Sequence, residues 1–81
     1  MKDQESPEPL LLAILSMDGS RIREFADRWI REYVTAGEYG LAYEGVIAEL
    51  EDGNYVPSEQ AWALIVCLSM ILEYPYPRRK E

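Results

Sequence analysis

Chemistry in a protein starts from groups that move protons, attack an electrophile or hold a metal. This chain of 81 residues has no histidine and a single cysteine, Cys67. The common Ser–His and Cys–His nucleophile pairs are therefore missing. So is any Cys/His set with metal-ligand spacing. No glycine loop has the spacing, or the preceding strand, that cradles phosphate. What remains is carboxylate: 15 Asp and Glu against 8 Lys and Arg, a formal net charge of −7. Paired carboxylates can do acid–base work, but none here lies in a stretch that predicts a buried, perturbed pair. The sequence reads as a non-enzyme with no catalytic, cofactor or metal site.

The charge then becomes the main functional signal. A chain this acidic repels nucleic acid and anionic membrane and favours a basic protein partner. Plain solubility would explain the same surplus. Cys67 sits in "ALIVCLSMIL", which predicts a buried thiol behaving as a small hydrophobe, in keeping with a reducing cytoplasm. The apolar run "LLLAIL" at 10–15 follows Asp3, Glu5 and Glu8 rather than a basic stretch, so no secretory leader is expected. The apolar run at 61–72 is too short to cross a bilayer.

The elements that must position any interaction surface are helices. Hydrophobic residues make up 48% of the chain, enough for one compact domain over 1–81, with tails expected at 1–5 and 75–81. "SPEP" at 6–9 is a helix start, with Ser6 as N-cap and Pro7 at the first helical position. The first helix runs to about Met17, with Leu10, Leu11, Ile14, Leu15 and Met17 on its apolar face. Asp18-Gly19 is a turn, and Ser20 is placed to cap a second helix over about 20–35. There Ile22, Phe25, Ala26, Trp29, Ile30, Tyr33 and Val34 recur at spacings of three and four. Its other face alternates four arginines with three acids, including the i,i+4 pairs Glu24–Arg28 and Asp27–Arg31. Mixed signs predict a solvated face rather than a nucleic-acid stripe.

A third helix covers about 37–51 and closes at "EDGN", where Gly53 suits a positive φ. Ser58 caps a fourth helix over about 59–73. That helix is apolar around most of its circumference, so it is either central in the fold or shows one side to a dimer mate. "YPYP" at 74–77 stops it, and "RRKE" forms a basic tail. The expected fold is all-α, a small antiparallel bundle of about four helices.

The stretch "GEYGLAYEGVIAEL" at 37–50 is the least ordinary. Residues 36–54 hold Glu38, Glu44, Glu49, Glu51 and Asp52, and no lysine or arginine. At about 100° per residue, Tyr39, Ala42, Tyr43, Val46 and Leu50 share one face with Ile47 at its edge, which predicts a core face. Opposite lie Gly40, Leu41, Glu44, Gly45, Ala48 and Glu51. Glycine costs a helix interior roughly 0.5–1 kcal/mol relative to alanine. Small residues there are useful only if something packs close, either the first or fourth helix or a docking partner.

At "AGEYGLAYEGVIAELEDGNYVPSEQAWALI" the chain resembles the MafI-type immunity proteins of bacterial polymorphic-toxin systems. The matching residues are Gly37, Glu38, Tyr39, Gly40, Leu41, Ala42 and Glu44, then Pro57, Ser58 and Glu59, within roughly 36–72. The first two helices match only as generic amphipathic elements, and the aromatic-rich second helix and the "YPYPRRKE" end depart from the pattern. The resemblance implies a protein that binds a cognate toxin's C-terminal domain and covers its active site. A nuclease toxin would fit the acidity, since such domains bind phosphate and are basic. On that reading Glu38, Glu44, Glu51 and Asp52 supply charge. Leu41, Gly45 and Ala48, beside Gly40, supply close contact, and Tyr55 supplies an aromatic anchor. The competing expectation is a helical homodimeric adaptor or regulator, joined through the fourth helix and the C-terminal tyrosines.

Overall fold

The computed structural model describes residues 6–73. Four helices dominate them: α1 (Pro7–Asp18), α2 (Glu24–Thr35), α3 (Tyr39–Glu51) and α4 (Glu59–Ile71). The protein is all-α, a small helical bundle. The expectations for 1–5 and for the segment from 74 onward lie outside the described residues.

Local chemistry sets the helix ends. Ser6 Oγ accepts from Glu8 N at 3.3 Å, with Pro7 next in the first turn. Ser58 Oγ accepts from Ala61 N at 3.2 Å. α2 and α3 close in the same way. Gly37 (φ 80°) and Gly53 (φ 81°) take the left-handed conformation just past each helix. Their N–H groups donate to Val34 O and Leu50 O, and the next residues donate to Tyr33 O and Glu49 O. Those bonds satisfy carbonyls that a helix end otherwise leaves open. Gly37 therefore ends α2, and α3 begins at Tyr39 rather than at residue 37.

α2 begins at Glu24, four residues later than the sequence suggests. Ser20 does not cap it. Gly19–Arg21 form a single 3₁₀ turn, and Ile22 is extended (φ −103°, ψ 141°) with its side chain in the core. Burying Ile22 carries the chain across the bundle before a helix can start. Of the two expected i,i+4 pairs, Asp27–Arg31 closes at 2.9 Å. Glu24 and Arg28 make no such pair.

α2 and α3 form an antiparallel hairpin, because Arg23 meets Glu49 at one end and Ile30 meets Gly45 midway. α1 packs along α4 and also touches α2 and α3. The central helix is thus α1, which buries Leu11, Ile14, Leu15 and Asp18. α4 buries Ala61, Ile65, Leu68 and Ser69 and leaves Ala63, Cys67 and Met70 at the surface. The expected buried thiol is exposed: among the described helices α4 packs chiefly on α1, through a face of Ala61, Ile65 and Leu68 that does not include Cys67. Met17, expected on the core face of α1, is exposed as well.

The core face of α3 is as its phase predicts. Ala42, Tyr43 and Val46 are buried, and Tyr39, Ile47 and Leu50 pack against them. The place of Gly45 is also decided: a Cβ built on it would lie 2.9 Å from Ile30 Cγ1. The close neighbour within the fold is Ile30 of α2, not α1 or α4. Gly45→Ala is therefore expected to destabilise despite alanine's better helix propensity. Propensity offers about 1 kcal/mol, and overpacking costs about 1–3 kcal/mol, for a net loss of ~1 kcal/mol. In an Ile30→Ala background the same change should become neutral or stabilising. Urea unfolding of the four chains measures the coupling.

Candidate functional site

Six of the nine residues singled out in the sequence reach the surface together. Leu41, Glu44, Ala48 and Glu51 are exposed and spaced three and four apart, forming one ridge on α3. Glu38 is exposed at its start and Asp52 at its end. Gly40 is half-buried at the first turn. Gly45 is half-buried too, and Tyr55 does not belong to the surface. Gly45 is the contact point with Ile30. Tyr55 is only 2% exposed, so it is no aromatic anchor for a partner. Its hydroxyl donates to Asp18 Oδ2 at 2.6 Å, and Ser58 N donates to the same oxygen at 2.9 Å. This buried junction fixes the 54–58 link against the end of α1. It therefore sets where α4 starts.

Charge on α3 is smaller than its sequence implies. Glu49 is 6% exposed and takes a two-pronged bond from Arg23, with Nε–Oε1 at 3.0 Å and Nη2–Oε2 at 2.7 Å. That bond holds the Glu49 carboxyl below its ordinary range, against a burial that pushes it up. The outward carboxylates are thus Glu38, Glu44, Glu51 and Asp52.

Next to this ridge α2 presents aromatic side chains that the sequence placed in the core. Phe25 is 54% and Trp29 60% exposed, while Ile22, Ala26, Ile30 and Val34 are buried. α2 carries two adjacent rows, aliphatic at 26, 30 and 34, with the extended Ile22 buried just before them, and aromatic at 25, 29 and 33. Only the aliphatic row faces inward in full. That segregation into rows is the sequence signal that would have found the exposed aromatics. Gly45 admits Ile30 so closely that α3 seats on the aliphatic row. Trp29 and Tyr33 meet edge to face, with ring centroids 6.5 Å apart at 80°.

A groove of about 540 Å³ runs where α2 and α3 join. It is lined by Trp29, Glu32, Tyr33, Ala36, Glu38 and Leu41. Leu41, itself 44% exposed, thereby links the α3 ridge to the α2 aromatics. At the other end of the same seam the Arg23 guanidinium lies 4.7 Å from the Phe25 ring centroid while it bonds Glu49.

This arrangement suits recognition of a protein surface, with aromatic and aliphatic contact area bordered by carboxylates. Among the described residues no group of three or more His, Cys, Asp or Glu side chains is placed to hold a metal ion. No helix among them is long and apolar enough to cross a membrane. No family model, curated protein or solved structure matches the chain.

Proposed function

We propose that this chain is a non-catalytic immunity protein. On this reading it stays in the cytoplasm of the producing cell. It binds the C-terminal domain of a cognate, basic toxin and blocks its active site, and a nuclease is the toxin class that best fits the charge. The observation that carries the reading is the α3 ridge. Leu41, Glu44, Ala48 and Glu51 stand in one exposed row with no cation among them, in a chain of net charge −7. The resemblance of the 36–72 stretch to MafI-type immunity proteins supports it. Carboxylates around a small apolar centre speed encounter with a basic surface and orient it. Nucleic acid and membrane are poor partners for such a face. The test is a pull-down from the native organism, followed by inhibition of the captured domain. The reading expects a basic domain from a secreted protein whose activity is abolished by the chain at equal concentration.

The second reading, a homodimeric adaptor, is favoured by one feature. Ala63, Cys67 and Met70 form an exposed row on α4. Sedimentation velocity at micromolar concentration separates the two. The immunity reading expects a monomer, and a stable dimer broken by Met70→Glu would favour the adaptor.

A further inference from the structure

The seam between α2 and α3 carries the same recognition chemistry twice. At one end it is filled from within. Arg23 lies over the Phe25 ring and is held by both oxygens of Glu49. One helical turn along α2, Trp29 replaces Phe25, Tyr33 stands beside it, and Glu38 and Glu32 line the groove with Leu41 and Ala36. The aromatic face and the carboxylates are present there, but no lining residue is a cation. Arg28 and Arg31 line an adjoining depression that shares Glu32 and Ala36 with the groove, and Arg31 is held by Asp27. Glu38 makes no ion pair with a described residue.

We infer that the Trp29–Leu41 groove receives an arginine side chain from a protein partner, as Phe25 and Glu49 receive Arg23. A guanidinium is planar, stacks on an aromatic face and pairs with a carboxylate in its plane. Trp is the strongest of the aromatic partners for such a cation. Leu41 and Ala36 cover the aliphatic stem, and Glu38 meets the head group. The inference deepens the reading of this chain as a binder of basic domains and names the anchor of that interface.

The test needs no toxin. The ¹⁵N-labelled full chain is titrated with the peptide acetyl-Arg-Leu-Arg-amide and with its citrulline counterpart, which keeps shape and loses charge. Saturable shifts are expected at the Trp29 indole N–H and at the amides of Ala36, Glu38 and Leu41. The indole of Trp62, on α4, serves as internal control and should stay in place. Citrulline, Trp29→Ala and Glu38→Gln should each weaken binding at least fivefold. Trp29 is exposed enough for its variant to fold, and Glu38→Gln preserves shape. Equal shifts with arginine and citrulline would overturn the inference. So would shifts centred on Trp62, or no saturation up to about 10 mM, where binding energy falls below roughly 3 kcal/mol. A captured toxin domain that binds Trp29→Ala as tightly as the native chain overturns the groove and leaves the immunity reading standing. Arginine-selective peptide binding without any inhibited toxin keeps the groove and removes that reading.

Discussion

Asp18→Ala is expected to cost about 2–4 kcal/mol of folding stability, a large part of the roughly 4–12 kcal/mol that a chain of this size holds. Asp18 is 1% exposed and ends the central helix. One of its oxygens takes the Tyr55 hydroxyl and the Ser58 N–H, and Arg21 Nε approaches the other at 3.8 Å. Alanine would leave a buried hydroxyl and a part-buried N–H without a partner, and each such loss costs ~1–3 kcal/mol. Tyr55→Phe removes a single donor to a charged acceptor and should cost less, ~1.5–3 kcal/mol. Denaturant midpoints of the variants give the ranking.

The same carboxyl ties stability to pH. Burial pushes the Asp18 carboxyl up, but the bonds from Tyr55 and Ser58, with Arg21 nearby, hold it below its ordinary 3.8. The Arg23 bond holds Glu49 below its ordinary 4.5. Burial and the Asp18 carboxylate push the Tyr55 phenol upward, so it keeps its proton and goes on donating. For both acids the folded value lies below the unfolded one. Their contribution is complete above the unfolded values and is lost as pH falls through the folded ones. Stability should therefore be level from about pH 5 to neutrality and decline below about pH 4. Asp18→Asn, which cannot titrate, should be less stable at neutral pH and should decline less in acid. Urea melts at a series of pH values from neutral to acid decide it.

Reversing two charges on the α3 ridge, with Glu44→Lys and Glu51→Lys together, is expected to weaken toxin binding about 10- to 100-fold at low salt. Both side chains are exposed, so the helical circular dichroism should be retained. The change replaces two negative charges by two positive ones on a face expected to meet a basic surface. Most of the loss should appear in the association rate, which depends on long-range attraction, while dissociation changes less. Raising salt should shrink the gap between native and variant, because exposed charges are screened within about 10 Å at 0.1 M. Stopped-flow mixing at several ionic strengths reads both effects.

Elements whose cause is local were legible in the sequence. Ser6 with Pro7, and Ser58 before Glu59, start helices by chemistry that acts within one turn. Gly53 marks an end that needs a positive φ. The core face of α3 followed from phase alone. What failed was whatever depends on residues far apart. Tyr55 reads as a surface aromatic until Asp18, 37 residues away, is brought to its hydroxyl. Glu49 reads as part of a free acidic stretch until Arg23 reaches it across 26 residues. α4 is the most apolar helix, yet α1 is central, because centrality depends on neighbours rather than composition. Gly45 was correctly marked as a place of close approach, but its visitor is Ile30 of α2. That contact fixes which side of α2 faces inward and leaves Phe25 and Trp29 outside. The surface proposed for a partner thus keeps the α3 ridge, loses Gly45 and Tyr55, and gains the aromatic row.

Paired pull-downs with the native chain and with the Glu44→Lys, Glu51→Lys variant test the central claim most directly. The account predicts that only the native bait retains a basic C-terminal domain of a secreted protein. It also predicts that adding the native chain to that domain abolishes its activity while the variant does not at equal concentration. Retention of the same domain by both baits, or a captured domain whose activity the native chain leaves intact, would contradict it.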